Sequence, residues 1–230
     1  MCSRARLMAR CLSSPAGKLT AVIMGPPGAG KGTISKRIVN KFYLAHLSSG
    51  DMLRNHISRQ TDVGLEAKNY LDQGKLVPDQ VMLNLILTEL KQAETGWLLD
   101  GFPRTLGQAK ALVAETSIST VINLNVPFQT IIDRVKGRWV HVASGRVYND
   151  NYNAPKVHEK DDITGEALVQ RADDRPDTVL ERLKLYENQT KPVIDFFEEK
   201  GLVKTFSGTE SDVLWPQVKQ YIEKDCITLA

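Results

Sequence analysis

The chain predicts an α/β protein built on a doubly wound parallel sheet, and three features of its 230 residues carry that expectation. Short β-rich apolar runs alternate with stretches of helical periodicity. The first of these runs ends in a glycine-rich turn that leads straight into a helix. Between about residues 137 and 174 the periodicity gives way to short polar runs holding Gly145, Pro155 and Gly165, as an inserted lobe would read.

Taken in order, residues 19–24 (LTAVIM) stop abruptly at Gly25, which suits a buried parallel strand. From Lys31 onward Ile34, Ile38, Val39 and Phe42 recur at helical spacing, with Lys36, Arg37 and Lys41 on the opposite face. Further strands are expected at 97–99, 121–126 and 202–206. Pro78 and Asp79 open a helix that carries Val81, Met82, Leu85, Ile86 and Leu90. Pro176 opens another with Val179, Leu183, Tyr186 and Val193, and Pro192 is expected to kink or break it, having no N–H to donate. No internal repeat or low-complexity tract stands out.

Composition narrows the class. With 42% hydrophobic and 25% charged residues the chain is an ordinary globular protein, which excludes disordered and fibrous classes. No apolar stretch approaches the roughly 20 residues of a spanning helix. Cys2, Cys11 and Cys226 are odd in number and placed at the chain ends, a poor disulfide framework that suits a reducing compartment. The net charge of +3 divides unevenly: residues 1–50 hold eight Lys or Arg and no acid, leaving 22 basic against 27 acidic residues beyond. Residues 1–18 (MCSRARLMARCLSSPAGK) are rich in Arg and Ser, free of acid, and without the apolar core of a secretory signal. They read as a mitochondrial targeting leader, the alternative being a basic tail with no address.

The chemistry begins at Gly25-Pro-Pro-Gly28-Ala29-Gly30-Lys31-Gly32-Thr33, which lies between a strand and a helix and so has the context of a P-loop. Its glycines let successive N–H groups face inward, the helix adds its N-terminal partial charge, and Lys31 adds a full one. Gly32 stands where a Ser or Thr would ligate Mg²⁺, so metal is expected to be held through water. Asp100, closing the apolar run 97–99, has the form of a Walker B carboxylate for that purpose, although a strand-terminal Asp also serves as a cap. Asp51 is equally readable as a helix N-cap. Arg54, Arg104, Arg134, Arg138, Arg171 and Arg182 lie next to these motifs or at the edges of the polar lobe. Planar, permanently charged guanidinium groups suit transferring phosphates, though single arginines are usually solvated.

From about residue 19 to 222 the chain resembles the adenylate kinase family: GPPGAGKGT, HLSSGDMLR, DQGKLVPD, WLLDGFPRT, SGRVYN, DDITGE, QRADDRP and FSGTE fall in the family's order and spacing. The resemblance implies a P-loop NTPase-type doubly wound parallel core at 19–230 with an inserted AMP-binding lobe (48–77) and a lid (137–174). It implies a donor nucleotide site at Gly28, Ala29, Gly30, Lys31, Gly32 and Thr33, joined by Arg134, Arg138, Val147, Tyr148 and Ser211. An AMP site is implied at Ser49, Arg54, Lys75, Leu76, Val77, Gly101, Phe102, Pro103, Arg104 and Gln108, with Arg171 and Arg182. Lys31, Arg104, Arg138, Arg171 and Arg182 become the catalytic cations, and Asp100 organises the Mg²⁺ waters.

The expected reaction is reversible phosphoryl transfer from GTP to AMP, with ATP as the competing donor and a nucleotide-binding paralogue of weak turnover as the alternative. No motif places a nucleophilic Ser, Cys or His, so positioning and electrostatics must suffice. Four lid positions that hold zinc in some relatives are His141, Ser144, Asp161 and Thr164; two are neutral hydroxyls, so a hydrogen-bonded network is expected and zinc is not. The implied partners are small-molecule nucleotides, with no nucleic acid and no membrane. A monomer in the mitochondrial matrix is expected.

Overall fold

The computed structural model describes residues 18–73 and 75–226. The expected leader, but for Lys18, lies outside the described residues, as do Cys2 and Cys11.

The core is a five-stranded, wholly parallel sheet in the order β2-β3-β1-β4-β7, formed by β1 (Thr20–Met24), β2 (Ala45–Ser48), β3 (Trp97–Asp100), β4 (Thr120–Asn125) and β7 (Val203–Ser207). Three of the expected strands form within a residue or two of their predicted bounds, and so does the first. Strand β2 escapes the pattern because AHLS is short, and a strand at the sheet edge buries little: only Leu47 is fully covered. Side chains of the central strands alternate between two apolar layers. Ala21 and Ile23 pack with Ile34, Ile38, Ile131 and Leu214 on one face, while Val22 and Met24 pack with Met82, Ile86, Leu112 and Phe197 on the other. Burial on both faces is why these strands read as continuous apolar runs.

The helices on the first face are α1 (Lys31–Phe42), α6 (Phe128–Lys136) and α9 (Ser211–Tyr221); on the second lie α4 (Asp79–Gln92), α5 (Leu106–Glu115) and α8 (Lys191–Glu199). Helices α2 (Ser49–Ser58) and α3 (Asp62–Asp72) follow β2, and α7 (Pro176–Leu185) follows the polar stretch. That stretch is not all loop: β5 (Arg138–His141) and β6 (Arg146–Asn149) pair antiparallel as a separate hairpin. No helix among the described residues is long and apolar enough to cross a membrane.

Two local expectations change. Ser48 caps α2 by accepting from the Asp51 N–H at 3.3 Å, so Asp51 is not the cap but sits in the first turn and pairs with Arg54. Pro192 neither breaks nor ends its helix. Residues Tyr186–Thr190 widen into a π-helical turn in which the Lys191 N–H reaches back to the Tyr186 carbonyl, and Pro192 falls in the first turn of α8. The chain thus stays helical across a residue that has no N–H to donate.

Register brings the chemistry to one edge. Ile23 and Ser48 both align with Asp100, so the glycine turn after β1, the start of α2 and the Asp100 carboxylate meet at the carboxyl ends of the strands. Open α/β sheets bind ligands there. Ile122, fully buried in β4, should be among the costliest positions to truncate: Ile122→Ala is expected to lose about 2–5 kcal/mol in urea unfolding, and a loss below about 1 kcal/mol would contradict this packing.

Candidate active site

The glycine turn is shaped by positions that exclude side chains. Gly30, the residue before α1, has φ 85°, and a Cβ there would lie 2.8 Å from Ser211 Oγ. Gly28, at φ 82°, would meet Val135 Cγ2 at 2.8 Å. Gly32 has open space around it and lies exposed beside Thr33. Helix α1 has no acidic residue in its first turn and no side-chain cap, so its partial positive end is left for an external anion. Lys31 is folded back, its Nζ donating to the carbonyls of Gly25 at 2.7 Å and Pro26 at 2.8 Å. Burial pushes its ammonium down from the ordinary 10.5 to about 7; Asp100 opposes that shift, while Arg104, Arg182 and Arg138 reinforce it.

Asp100 is 8% exposed, and its Oδ2 accepts from Ser35 Oγ at 3.0 Å. His46 Nε2 stands 3.9 Å from the same oxygen, buried and without a hydrogen-bond partner among the described residues. One carboxylate of this kind, left to work with water and phosphate oxygens, suits the hard, hydrated Mg²⁺ ion.

Two hollows open off the carboxyl edge of the sheet. One is lined by Gly25, Pro27, Lys31, Pro103, Arg182 and Tyr186. The other holds Ser49, Lys75, Val77, Met82 and Gln108, and Leu76, Gly101, Phe102 and Arg104 line both. Most of the residues expected at the AMP site thus surround one cavity, although they come from 48–77 and 101–108. The Gly101 carbonyl ties its wall together, accepting from Ser49 Oγ at 2.8 Å and Arg104 Nε at 2.6 Å. Gln108 is 3% exposed and already engaged: its Oε1 accepts from the Arg104 backbone N–H at 2.7 Å and its Nε2 donates to Asp79 Oδ1 at 2.8 Å. Asp79 Oδ2 also accepts from Thr105 Oγ1 at 2.7 Å.

Around the hollows the arginines are close enough to depress one another. Burial and the neighbouring Arg182 push Arg104 down to about 10, and burial with Arg54 and Arg138 does the same to Arg171. Arg171 Nε and Arg134 Nη1 are buried with no hydrogen-bond partner among the described residues, an unusual state for a cationic donor. Asp173 and Asp174 supply the counter-charge that the motifs did not single out. Arg138 binds Asp174 through Nε at 2.7 Å and again through Nη2, while Arg182 Nη1 reaches Asp173 at 2.9 Å and Asp174 at 3.4 Å.

The remaining expected donor residues divide. Arg134 bonds the Thr209 carbonyl, lies under the Tyr152 ring at 4.7 Å, and with Ser211 flanks Gly30. Val147 is exposed, but the Tyr148 phenol turns inward and donates to Asp161 Oδ1 at 2.9 Å, so that side chain is committed to the hairpin. The four lid residues His141, Ser144, Asp161 and Thr164 are joined by hydrogen bonds. His141 Nδ1 meets Ser144 Oγ at 2.7 Å, Thr164 Oγ1 donates to Asp161 at 3.0 Å, and Arg146 grips both Asp161 oxygens at 2.7 and 2.6 Å. The Arg146 bonds hold the Asp161 carboxyl well below the usual carboxylate range.

So much buried positive charge about a glycine cradle has a clear chemical use, holding phosphoryl groups while they move, and the fold and site are those of a P-loop phosphotransferase. Residues 23–202 match the family model described as adenylate kinase. The chain is also 48% identical over 203 residues to the protein named GTP:AMP phosphotransferase, mitochondrial, of Drosophila melanogaster, which covers 88% of this chain and 94% of that relative. The protein belongs to the adenylate kinase family.

The depressed Lys31 pKa has a measurable sign. The unfolded chain keeps this lysine protonated up to about 10.5, so between pH 7 and 10.5 it binds more protons unfolded than folded, and its contribution to stability rises with pH across that window. A phosphate seated beside this ammonium would restore the counter-charge and raise the pKa again. Nucleotide binding at pH 8 should therefore take up close to about one proton. Calorimetry in two buffers of different ionisation enthalpy reads this directly, and a buffer-independent heat would contradict it.

Proposed function

We propose that the protein catalyses reversible, Mg²⁺-dependent transfer of the γ-phosphoryl group from GTP to AMP, giving GDP and ADP, as a monomer in the mitochondrial matrix. The observation that supports this most is that two hollows share Arg104 and Gly101, with Lys31 and Arg182 on one side and Ser49 and Gln108 on the other. Two phosphorylated ligands seated there would point their phosphates at the same cations. The relative's name supports GTP as donor and mitochondria as the compartment, and the acid-free leader at 1–18 agrees with that address.

In this reading Gly28 to Thr33 cradle the donor phosphates, and Lys31 leaves the carbonyls of Gly25 and Pro26 to meet them. Arg134, Ser211 and the backbone of Val147 and Tyr148 border the donor base. Ser49, Arg54, the Lys75 to Val77 segment, the Gly101 to Arg104 turn and Gln108 hold AMP. The bond from the γ-phosphorus to the β–γ bridging oxygen breaks as one forms to an oxygen of the AMP phosphate. That phosphate is largely dianionic at neutral pH, so no protein base is needed to deprotonate it. Arg104, Arg138, Arg171 and Arg182 balance the charge on the group in flight. Asp100 would hold Mg²⁺ through water, and the ion would supply positive charge against the donor phosphates. Residues 48–77 and 137–174 act as the AMP lobe and lid, and their closure keeps water from competing with AMP.

Arg104→Ala and Arg171→Ala should each lower turnover by on the order of 10³ in a coupled assay of ADP formation, and near-normal rates would remove the assigned roles. The same assay with matched GTP and ATP tests the donor. Higher kcat/KM for GTP is expected; equal or better use of ATP would replace GTP in the reaction, and tight binding of nucleotide without ADP formation would replace catalysis by binding.

A further inference from the structure

We propose that Asp79 is a specificity-determining positioning residue: by fixing which way the Gln108 amide points, it makes the acceptor site choose a 6-aminopurine monophosphate over a 6-oxopurine one. The proposal rests on the AMP-site reading above and deepens it.

A glutamine amide has a donor end and an acceptor end of nearly the same shape, so an unconstrained one can turn over and pair with either pattern. Gln108 cannot. The Arg104 backbone N–H, 2.7 Å away, is a donor only, so the atom facing it must be Oε1. Asp79 Oδ1, 2.8 Å away on the other side, belongs to an acceptor-only carboxylate, so the atom facing it must be Nε2. Turned over, the amide would set oxygen against carboxylate and NH₂ against N–H, in a residue only 3% exposed where water offers little relief. Asp79 is itself held, because Thr105 Oγ1 donates to its other oxygen at 2.7 Å while it sits in the first turn of α4.

The Asp79 lock uses one of the two hydrogens on Nε2, and the Arg104 lock uses one of the two lone pairs on Oε1. One donor and one acceptor remain, in an order the amide cannot reverse. The base edge that would meet them carries a ring acceptor beside an amino donor in a 6-aminopurine. In a 6-oxopurine it carries a ring N–H beside a carbonyl, the opposite order. A site whose buried polar groups match one order rejects the other, because a mismatch leaves donors facing donors. Removing the carboxylate lifts the oxygen-against-carboxylate part of that penalty and leaves the Arg104 N–H as the amide's remaining lock, so the choice of base is weakened.

The test is kcat/KM for AMP and for IMP, which differ at the 6-substituent, in the full chain with GTP as donor. Asp79→Asn keeps the size of the side chain and is the main variant; Asp79→Ala is the second, with thermal melts to confirm that both fold. The native protein should prefer AMP strongly, and both variants should lose about tenfold or more of the AMP:IMP ratio, chiefly by accepting IMP better. A general loss of packing would lower both substrates together and leave the ratio in place, and that result overturns the proposal. Gln108→Ala separates this failure from failure of the underlying reading. If it collapses the ratio while the Asp79 variants do not, Asp79 has no such role; if it also leaves the ratio intact, the hollow does not read the acceptor base.

Discussion

Like charges buried together repel, and this is the constraint about which the cleft is organised. Lys31, Arg104, Arg138, Arg171 and Arg182 lie close enough to perturb one another, and burial falls hardest on Lys31 and Arg104. Such a cluster is tolerable only if something holds its members in place. Asp173 and Asp174 do so for Arg138 and Arg182, the carbonyls of Gly25 and Pro26 do so for Lys31, and the Gly101 carbonyl does so for Arg104. Each restraint is oriented, so the guanidinium groups of Arg104, Arg138 and Arg182 are held in fixed directions, while Lys31 is held back against its own turn.

The sheet makes that arrangement affordable in conformational terms. Residues from β1, β2 and β3 reach one edge because the strands are parallel and in register, so no flexible loop has to carry the charged groups far. Two apolar layers hold the strands from either side, while Lys31, Asp100 and Arg104 lie at or beyond the carboxyl ends of β1 and β3. The β5–β6 hairpin is a separate sheet, tied to the following stretch by the Arg146 and Tyr148 bonds to buried Asp161.

How far the sequence discloses this depends on the range over which each feature is encoded. The glycine cradle is contiguous and sits between a strand and a helix, so its residues are legible at once. The buried strands are legible because parallel strands covered on both faces are unbroken apolar runs. Strand β2 is not, since AHLS owes its conformation to pairing with β3 rather than to its own pattern. Asp79 reads as a helix-opening acid, because its partner Gln108 arrives 29 positions later and nothing local announces the pairing. Asp173 and Asp174 stand inside a recognisable motif, yet their part as counter-ions follows only from where Arg138 and Arg182 are folded.

The widened turn at Tyr186–Thr190 bears on mechanics. A proline that ended the helix would leave α7, with Arg182, as a rod separate from α8, whose Val193 and Phe197 are anchored in the core. The π-turn absorbs the missing N–H without interrupting the helix, and Thr190 Oγ1 uses the same turn to bond the Arg104 carbonyl at 3.0 Å. Arg182 thus stands on a helix that runs on into α8, and the turn between them touches Arg104, one of the residues that line both hollows. Asp173 and Asp174 hold Arg182 on this run of helix and Arg104 is bonded further along it, so the two halves of the cleft are joined through helix rather than through loop.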